Sequence, residues 1–366
     1  MSAPVNAIGV MSGTSMDGID VALLRSDGEA LVEPGPGFSY PYAPALAADL
    51  REVVADPARA EGDLKALEAR VTEAHVQAVE TFLAQAGVAR ADVALVGFHG
   101  QTVLHRPVRG LTRQLFDGGF AARRLGIDVV CDFRAADMRA GGEGAPLAPV
   151  YHAAIAAKLE KPLMLLNWGG VGNGTYLGLD GAVIAFDTGP ANSLIDDFVR
   201  ARRGLSHDAD GALAAAGAVD AGLLAQWMGD PYFARPAPKS LDRNHFRALT
   251  SGVAALSDAD GAATLTAFTI EATAAALRIV PDAPNRWLVA GGGRRNKALM
   301  AGLAGRLGVS VEPVEAIGFD GDQLEAQLFA YLAIRSRRGL PISFPGTTGV
   351  PTAMTGGVFW QRPSGL

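Results

Sequence analysis

The chain is poor in cysteine, with Cys131 the single one among 366 residues. One thiol cannot form an intrachain disulfide, so the composition does not indicate an oxidising compartment. Cys131 lies in the apolar run from Ile127 to Phe133, a setting that favours core packing over a role as nucleophile. The sequence therefore predicts neither a disulfide scaffold nor a cysteine enzyme.

Long hydrophobic runs are also missing, and clusters of positive charge are short. No stretch reaches about 18 uninterrupted apolar residues, and no basic segment with a long apolar run stands at the N-terminus. We therefore expect no signal peptide, no membrane span and a cytoplasmic location. The formal net charge of −6 argues against a nucleic-acid surface. We interpret most of the short arginine clusters as solvated helix ends, namely Arg202-Arg203, Arg294-Arg295 and Arg335 to Arg338.

Length and hydrophobic content indicate two α/β domains. A chain of 366 residues exceeds one ordinary core, and 49% hydrophobic residues suffice for large buried sheets. Apolar residues at spacings of three and four, with glycine stops, predict helices. These cover Asp63 to Ala86, Phe116 to Leu125, Pro149 to Leu159, Ser193 to Arg202, Gly217 to Trp227, Thr264 to Val280, Asn296 to Leu307 and Asp320 to Ser336.

A glycine- and hydroxyl-rich turn lies between two short apolar strands near the start of the chain. The strands Val5 to Val10 and Ile19 to Arg25 flank the segment Met11 to Gly18, which predicts a β-hairpin. Small residues let the backbone approach an anion, and the hydroxyls add donors. The same residues are also ordinary turn formers, so an anion site and a plain turn both stay open. The segment is no Walker loop, because no Gly-Lys-Ser/Thr and no helix follow.

A second candidate is the carboxylate of Asp187. The apolar run Ala182 to Phe186 reads as a central strand that stops at Asp187, before a Gly-Pro turn and a helix with Asn192 as its N-cap. Ligands of open α/β sheets lie beyond the carboxyl ends of strands, so Asp187 is a candidate base. It could equally cap the turn through neighbouring backbone N–H groups.

Polar residues and glycines follow three further predicted strands. Val93 to Phe98 ends in His99-Gly100-Gln101-Thr102, where a structural or substrate-contacting histidine is favoured over a metal ligand. Leu163 to Leu166 ends in a glycine-rich segment, with a hairpin predicted through Asp180-Gly181. Since each half of the chain then has a glycine-turned hairpin, we infer a weak repeat of layout. Trp287 to Ala290 leads into a triple glycine and a helix, which is a nucleotide-binding layout.

Three other segments receive less specific interpretations. The glycine-rich stretch Ala140 to Leu147 is predicted to link the two halves. Lys239, in a proline-broken loop, reads as a surface lysine, although a phosphate contact stays open. Glu325 reads from its helical pattern as part of a solvated face.

Several motifs together resemble those of anhydro-N-acetylmuramic acid kinases, nearly from end to end. The matching segments are Met11 to Asp20, Phe98 to Thr102, Asp132-Phe133-Arg134, Gly144 to Leu147, Ala185 to Pro190, Pro238-Lys239-Ser240 and Thr347 to Pro351. The resemblance implies a two-domain actin-like ATPase fold with an interdomain cleft, and a homodimer. We expect an N-terminal domain of residues 1–130 plus 345–366 and a C-terminal domain of residues 131–344.

The resemblance also implies an activity in peptidoglycan recycling. Water, activated by Asp187 as general base, attacks C1 of 1,6-anhydro-N-acetylmuramic acid, and the released O6 takes the γ-phosphoryl of ATP with Mg²⁺. The products are N-acetylmuramic acid 6-phosphate and ADP. The implied substrate contacts are His99, Gln101 and Glu325, which replaces the solvated reading of Glu325. The implied nucleotide contacts are Gly13, Thr14, Ser15, Met16, Asp17, Gly18, Ile19, Asp20, Gly170, Gly291, Gly292 and Gly293.

Some positions depart from the family pattern, although none removes the implied base or phosphate loop. These are Glu143, Trp168, Gly172, Ala191, Leu241-Asp242 and Asn244. Metal ligands are not assigned, because Asp17, Asp20 and Asp187 could each contact Mg²⁺ directly or through water. Two other functions stay open on the same scaffold: a kinase that deprotonates an ordinary sugar or acid hydroxyl, and a nucleotide-gated regulatory protein.

Overall fold

The computed structural model describes residues 3–13, 16–242, 245–247 and 249–363. The predicted nucleotide contacts Thr14 and Ser15, and the variant position Asn244, lie outside these residues. The chain forms two compact units: Met1–Lys158 with Gln323–Leu366, and Leu159–Asp322.

The first unit is longer than the N-terminal domain expected from the sequence. It includes residues 131–158, because Tyr151 in this segment packs on the helix Leu324–Arg337. The Tyr151 hydroxyl donates to Gln327 Oε1 at 3.0 Å, and its ring lies 5.4 Å from that of Tyr331, centre to centre. The stretch Ala140 to Leu147 therefore belongs to the interior of one unit, and its interpretation as a link between halves is wrong.

The first unit contains a mixed sheet with the order β12-β6-β4-β1-β2-β3, to which β5 adds by pairing with β4. In it, β1 is antiparallel to β2 and parallel to β4, β2 is antiparallel to β3, and β4 is parallel to β6. The strands are β1 Val5–Ser12, β2 Gly18–Ser26, β3 Val32–Pro41, β4 Leu95–Arg106, β5 Leu111–Leu115, β6 Asp128–Cys131 and β12 Val358–Trp360.

The second unit contains a five-stranded sheet with the order β11-β10-β7-β8-β9. Its strands are β7 Leu163–Trp168, β8 Val171–Leu177, β9 Val183–Pro190, β10 Arg286–Ala290 and β11 Ser310–Pro313. Here β7, β8 and β9 are antiparallel neighbours, and β7, β10 and β11 are parallel neighbours.

Both sheets therefore share one plan: three antiparallel strands followed by two parallel ones, with the first strand of each unit in the middle. This duplication confirms the repeat of layout that the two glycine-turned hairpins indicated. It also confirms the α/β class and the actin-like ATPase fold implied by the resemblance.

Helices surround the sheets, and most of the predicted ones are present with shifted ends. They are α1 Pro44–Ala55, α2 Pro57–Glu61, α3 Lys65–Ala86, α4 Gly118–Leu125, α5 Ala135–Arg139, α6 Pro149–Ile155, α7 Asn192–Arg203, α8 Ala212–Ala215, α9 Ala221–Met228, α10 Asp258–Ala274, α11 Lys297–Leu307, α12 Leu324–Arg337 and α13 Pro345–Thr348. Helix α3 ends at Gly87, whose φ of 64° is the left-handed conformation expected of a glycine stop. Of the helices in the described residues, none is long and apolar enough to cross a membrane.

Helix α12 packs unusually close to the first sheet, and two glycines allow it. A Cβ on Gly9 of β1 would lie 1.8 Å from the carbonyl oxygen of Ala326, and one on Gly97 of β4 would lie 2.1 Å from that of Phe329. Neither position has room for a side chain. The start of α12, with Glu325, is therefore placed by direct backbone contact with β1 and β4.

Each unit has its own apolar core of buried aliphatic and aromatic side chains. Cys131 belongs to the core of the first unit, and burial raises the pKa of its thiol to about 12. The prediction that Cys131 is a packing residue is confirmed, because a neutral thiol buried among apolar groups is a poor nucleophile.

Candidate active site

Asp187 lies within strand β9, and the predicted strand end at this residue is wrong. The strand continues through Asp187 to Pro190, because Asp187 pairs with Asn173, and Gly189 with Gly172, across a register shift. Strand β9 is also the last in the sheet order, so it is an edge strand rather than the central one we expected. An edge strand leaves one side of its backbone open to other partners.

A later loop occupies that side and holds Asp187. The amide of Asp187 donates to the carbonyl oxygen of Lys239 at 2.8 Å, and the amide of Leu241 donates to Asp187 Oδ2 at 2.7 Å. The hydroxyl of Tyr232 donates to the carbonyl oxygen of Asp187 at 2.6 Å. The carboxylate thus accepts a hydrogen bond from Leu241, which lies 54 positions further along the chain. This bond does not cap the turn that follows Asp187.

Lys239 is buried, so its interpretation as a surface lysine is wrong. Only 4% of the residue is exposed, and its Nζ donates to the carbonyl oxygen of Tyr232 at 3.0 Å. The same Nζ lies 4.2 Å from the centre of the Tyr232 ring, within cation–π distance. Burial and Arg235 lower the pKa of Lys239 to about 8, and Asp187 opposes them. Local sequence could not reveal this burial, because it depends on packing against β9.

The predicted glycine-rich nucleotide residues of the second unit converge at the ends of two strands. Parallel pairing places Ala290 of β10 beside Asn167 of β7. The next residue, Gly291, has a φ of 74°, and a Cβ there would lie 2.6 Å from the carbonyl oxygen of Trp168. A Cβ on Gly293 would lie 2.5 Å from Trp168 Cβ. The triple glycine is therefore required by close approach to the end of β7.

The start of helix α7 reaches the same place. The carbonyl oxygen of Gly170 accepts from the amides of Ala191 and Ser193 and from Ser193 Oγ, the last at 2.7 Å. Asn192 is the first residue of α7 and not its N-cap, since its side-chain amide instead donates to the carbonyl oxygen of Trp168 at 2.9 Å. Gly170 and Gly292 are exposed, so they leave bare backbone beside the start of α7 and in the 3-10 turn Gly292–Arg295 that precedes α11. Such positions favour phosphate or another anion.

Arg294 fastens this glycine turn and is not a solvated helix end. Only 5% of its side chain is exposed, and its Nη1 donates to the carbonyl oxygen of Gly291 at 2.9 Å. Its guanidinium also pairs with Glu315 at 2.8 Å and with Asp322 at 2.9 Å. One buried cation thus connects the triple glycine to a cluster of acidic residues.

In the first unit, Gln101 holds the predicted phosphate loop. Its Nε2 donates to the carbonyl oxygen of Gly13 at 3.1 Å, and its Oε1 accepts from the Tyr42 hydroxyl at 3.2 Å. Within the loop, Met16 has a φ of 55° and a buried side chain, so only its backbone is available to contact a ligand. Strand β4 runs through Gln101 instead of stopping at Phe98, because Gly100 adopts a φ of 75° where the pairing with β1 shifts register.

His75 is a buried residue at this loop that sequence reasoning missed. Its Nε2 lies 3.1 Å from Ser12 Oγ at the end of β1, and its Nδ1 lies 2.8 Å from the carbonyl oxygen of Val71. Complete burial lowers the pKa of His75 to about 4, so the ring is neutral at pH 7. It looked like one more residue of the apolar helix α3, and its partner Ser12 lies 63 residues away in the chain.

An arginine to which we assigned no role bonds to one predicted substrate contact, His99, and interacts electrostatically with another, Glu325. Arg134 donates from Nε to His99 Nε2 at 3.2 Å and from Nη1 to the carbonyl oxygen of Gly144 at 2.7 Å. Burial lowers the pKa of Arg134 to about 10, while Glu325 and Asp137 oppose this shift. Gln101 differs from His99 and Glu325, because its amide is engaged by the Gly13 loop.

The charges of this group oppose one another. Burial, then Asp20, raises the pKa of Glu325, and Arg134 lowers it. Glu325 is exposed, as its interpretation as part of a solvated face predicted, although neighbouring protein limits the hydration of its carboxyl group. Burial and the guanidinium of Arg134 hold the pKa of His99 well below its ordinary value, which leaves a neutral imidazole beside a cation. In the sequence, the Asp132-Phe133-Arg134 motif was the one feature that could have indicated a functional role for Arg134.

Asp137 fixes the glycine-rich loop that carries Glu143 and Gly144. Its Oδ1 accepts from the amide of Gly144, and its Oδ2 from the hydroxyl of Thr348, both at 2.6 Å. The amide of Glu143 donates to the carbonyl oxygen of Thr348 at 2.8 Å. The two segments with a family resemblance around Gly144 and Thr348 are therefore joined by one buried carboxylate.

The donors near the phosphate loop suit Mg²⁺ held mainly by phosphates and water. Asp17 is exposed, and Asp20 is partly exposed with its Oδ1 accepting from Ser39 Oγ at 2.5 Å. In the described part of the chain, no group of three or more histidine, cysteine or acidic residues could hold a metal. Magnesium in kinases typically uses one or two protein carboxylates together with substrate phosphates, so these residues fit it.

Comparison with known proteins places all these segments in one family. The profile of the anhydro-N-acetylmuramic acid kinase family matches residues 5–362. The anhydro-N-acetylmuramic acid kinase of Rhodospirillum rubrum is 53% identical over 362 residues, covering 98% of this chain and 95% of that relative. That of Acidiphilium cryptum is 52% identical over 357 residues, covering 96% and 97%. A solved structure, the activator of the 2-hydroxyisocaproyl-CoA dehydratase from Clostridium difficile with bound ADPNP, is similar with a TM-score of 0.45 and 11% identity, covering 91% of this chain and 97% of that one.

Proposed function

Because this chain belongs to the anhydro-N-acetylmuramic acid kinase family, and is thus a phosphotransferase, we propose that it opens the 1,6-anhydro ring of 1,6-anhydro-N-acetylmuramic acid with water and phosphorylates O6 with ATP. The observation that carries this proposal is the anchored carboxylate of Asp187. The backbone amide of Asp187 and one of its carboxylate oxygens are hydrogen-bonded to the loop that contains Lys239 and Leu241. A fixed carboxylate can orient and deprotonate one water molecule.

The proposed reaction couples two bond exchanges. Water forms a bond to C1 as the bond between C1 and O6 breaks, and Asp187 takes the proton from that water. The released O6 forms a bond to the γ-phosphorus as the bond from that phosphorus to the ADP oxygen breaks. The products are N-acetylmuramic acid 6-phosphate and ADP. General base catalysis of this type contributes roughly 10² to 10⁴ in rate.

We assign the nucleotide to two sets of residues with glycine-lined backbone. The segment Gly13 to Asp20 is proposed to contact the phosphates, with Asp17 or Asp20 holding Mg²⁺, which neutralises phosphate charge when bound. Gly170 and Gly291 to Gly293 are proposed to contact the remainder of the nucleotide. Exposed glycine backbone supports this assignment: Gly170 bonds to Ser193 in the first turn of α7, and Gly292 begins the 3-10 turn Gly292–Arg295 that precedes α11.

We assign the sugar to the group around Arg134. His99 and Glu325 are proposed to contact the sugar directly, and Arg134 orients His99 through its Nε bond. A cation beside these residues also suits a substrate that carries a carboxylate. Gln101 is proposed to act on the nucleotide loop rather than on the sugar, because its amide bonds to Gly13.

The decisive experiment incubates the protein with Mg·ATP, the anhydro-sugar and ¹⁸O-labelled water. We expect a sugar 6-phosphate with one labelled oxygen at C1 and one ADP per turnover. ADP formation with unlabelled sugar phosphate would instead indicate transfer onto an existing hydroxyl. ADP formation that no sugar stimulates would indicate a nucleotide-gated protein. We further propose that the reaction serves peptidoglycan recycling in the cytoplasm and that the chain acts as a homodimer.

The companion variant is Asp187→Asn. It keeps the shape of the side chain and an oxygen able to accept from Leu241, but it removes the base. We expect turnover to fall by roughly two orders of magnitude or more, while ATP affinity is unchanged. Asp180→Asn, at the hairpin turn before β9, is the matched control and should retain full turnover. Normal turnover of Asp187→Asn would exclude this residue as the base.

A further inference from the structure

We propose that Lys239 and Tyr232 are positioning residues that fix the orientation and ionisation of the Asp187 carboxylate. The inference rests on the proposed function, since it concerns the working state of the base. It assigns a role to the Pro238-Lys239-Ser240 motif, which neither the phosphate loop nor the sugar contacts explain.

The first support is the way the loop is joined to the edge strand. Asp187 donates its amide to the Lys239 carbonyl, and two residues later Leu241 donates its amide to Asp187 Oδ2. The spacing is that of a short strand pairing in which a carboxylate oxygen takes the place of a backbone carbonyl. Such pairing fixes χ1 and χ2 of Asp187 because its side chain is part of the bonded pattern.

Tyr232 supplies the second attachment. Its hydroxyl donates to the carbonyl oxygen of Asp187 at 2.6 Å, and its amide donates to Asp230 Oδ1 at 2.8 Å. The tyrosine therefore connects β9 to a capped turn at its own backbone. Burial, then Asp187, raises the pKa of Tyr232, so the hydroxyl stays protonated and remains a donor.

Lys239 holds Tyr232 from the other side. Its Nζ binds the carbonyl oxygen of Tyr232 and also covers the ring at 4.2 Å. A methionine would fill the same volume without a charge, so packing alone does not call for a lysine. The Lys239 ammonium lies over the ring whose hydroxyl binds Asp187, and a cation at this position favours the ionised carboxylate, which is the form that accepts a proton.

Several other groups face this pair and enter any pH dependence. Burial and then Arg235 lower the pKa of Lys239 and Asp187 raises it, giving a value of about 8. The Tyr232 ring also lies 6.1 Å from that of His245, whose Nε2 is 3.1 Å from Asp230 Oδ2. The set to be considered in titrations is Asp187, Asp230, Tyr232, Arg235, Lys239 and His245.

The test compares Lys239→Met, Lys239→Arg and Tyr232→Phe in the complete protein. We expect Lys239→Met to lower kcat roughly 10- to 100-fold with an unchanged KM for ATP. The acid limb of kcat/KM for the sugar should move to higher pH by about one unit, because a cation near the base is lost. Lys239→Arg should have the acid limb of the parent protein. Because arginine stays protonated, this variant should also lack any change in rate that deprotonation of Lys239 causes in the parent.

The matched control is Lys161→Met. Lys161 is also a partly buried lysine whose Nζ binds a backbone carbonyl, that of Leu159, and burial lowers its pKa. It precedes the start of β7, whereas Asn167 at the other end of β7 lies on the side of Asp187. We expect this variant to retain the parent acid limb and kcat.

Tyr232→Phe keeps the ring under Lys239 and loses only the hydroxyl that binds Asp187. A roughly tenfold lower kcat with a melting temperature near that of the parent is expected. If Lys239→Met and Tyr232→Phe both match the parent in kcat and acid limb while Asp187→Asn is inactive, the positioning role is refuted and the base assignment stands. If Asp187→Asn itself is active, the proposed function fails first. Should Lys239→Met fail to fold, Lys239→Arg and Tyr232→Phe decide the question.

Discussion

The side-chain amide of Gln101 donates to the carbonyl oxygen of Gly13 at 3.1 Å. This bond joins strand β4 to the loop between β1 and β2, and the Tyr42 hydroxyl orients the same amide by donating to Gln101 Oε1. A residue expected to touch the sugar thus determines the position of the loop proposed for the phosphates.

Gln101→Leu should therefore act on the nucleotide more than on the sugar. We expect KM for ATP to rise roughly tenfold, because an unfixed loop must be ordered on binding, while KM for the sugar changes little. Steady-state kinetics with each substrate varied in turn measure both values. Gln114→Leu is the control, since Gln114 bonds only to Thr102 and Thr112 among the described contacts. A change confined to KM for the sugar would instead support the original prediction that Gln101 contacts the sugar directly.

The buried imidazole of His75 predicts a loss of stability in acid. Its folded-state pKa of about 4 lies below the ordinary value of 6.5, so the unfolded chain binds the extra proton first. The contribution is complete above pH 6.5 and is lost as pH falls toward 4, amounting to about 3 kcal/mol. Urea unfolding at pH 7, 6 and 5 measures this slope.

His75→Phe should flatten that slope by about one proton, or about 1.4 kcal/mol per pH unit, while lowering stability at pH 7 through the lost bond to Ser12. Exposed His207 gives the control variant His207→Phe, which should keep the parent slope. His152 is buried as well, and burial lowers its pKa to about 4, so some acid sensitivity should persist. An unchanged slope for His75→Phe would mean that the imidazole is already charged in the fold.

Gly9→Ala tests how α12 is placed. A methyl group 1.8 Å from the carbonyl oxygen of Ala326 must push the helix from the sheet, so we expect a loss of more than about 3 kcal/mol in unfolding free energy. Since Glu325 lies in the first turn of this helix, sugar affinity should fall as well. Gly305→Ala in α11 is the control, because a Cβ there meets nothing within 4 Å, and it should stabilise by up to about 1 kcal/mol. Denaturant unfolding of the two variants gives the comparison.

Patterns local to the chain predicted much of this architecture. Apolar runs bounded by glycine located β1, β2, β7 and β10, and the glycine-turned hairpins indicated the duplicated plan that both sheets share. The Asp-Thr-Gly-Pro segment, which follows an apolar run, was sufficient to indicate Asp187 as a candidate base. Each of these signals depends on a residue and its immediate neighbours.

The features that were mispredicted depend on residues far apart in the chain. That β9 is an edge strand follows from which strands assemble, and the burial of Lys239 follows from a loop that covers that edge. His75 and Arg134 acquire meaning only through Ser12 and His99, which other strands bring to them. A single sequence contains no local sign of such long-range contacts, although the Asp132-Phe133-Arg134 motif could have indicated a role for Arg134.

The same contrast separates two adjacent arginines after the triple glycine. Arg294 has 5% of its side chain exposed and binds Gly291, Glu315 and Asp322, whereas Arg295 is 68% exposed and, within the described residues, has an ion pair with Asp322 only. Arg294→Met should leave acidic groups without their cation and release the Gly291 carbonyl. We expect an unfolding free energy lower by about 3 kcal/mol or more and a KM for ATP raised roughly tenfold.

Arg295→Met removes the same charge one position later, so it controls for net charge and for the loss of one arginine. An exposed ion pair contributes at most about 1 kcal/mol, so this variant should be close to the parent in stability and in KM for ATP. Both effects of Arg294→Met should also persist at high salt, because ions screen a buried cluster poorly. Equal behaviour of the two variants would show that the turn keeps its shape without Arg294, and that close packing of Gly291 on Trp168 suffices to form it.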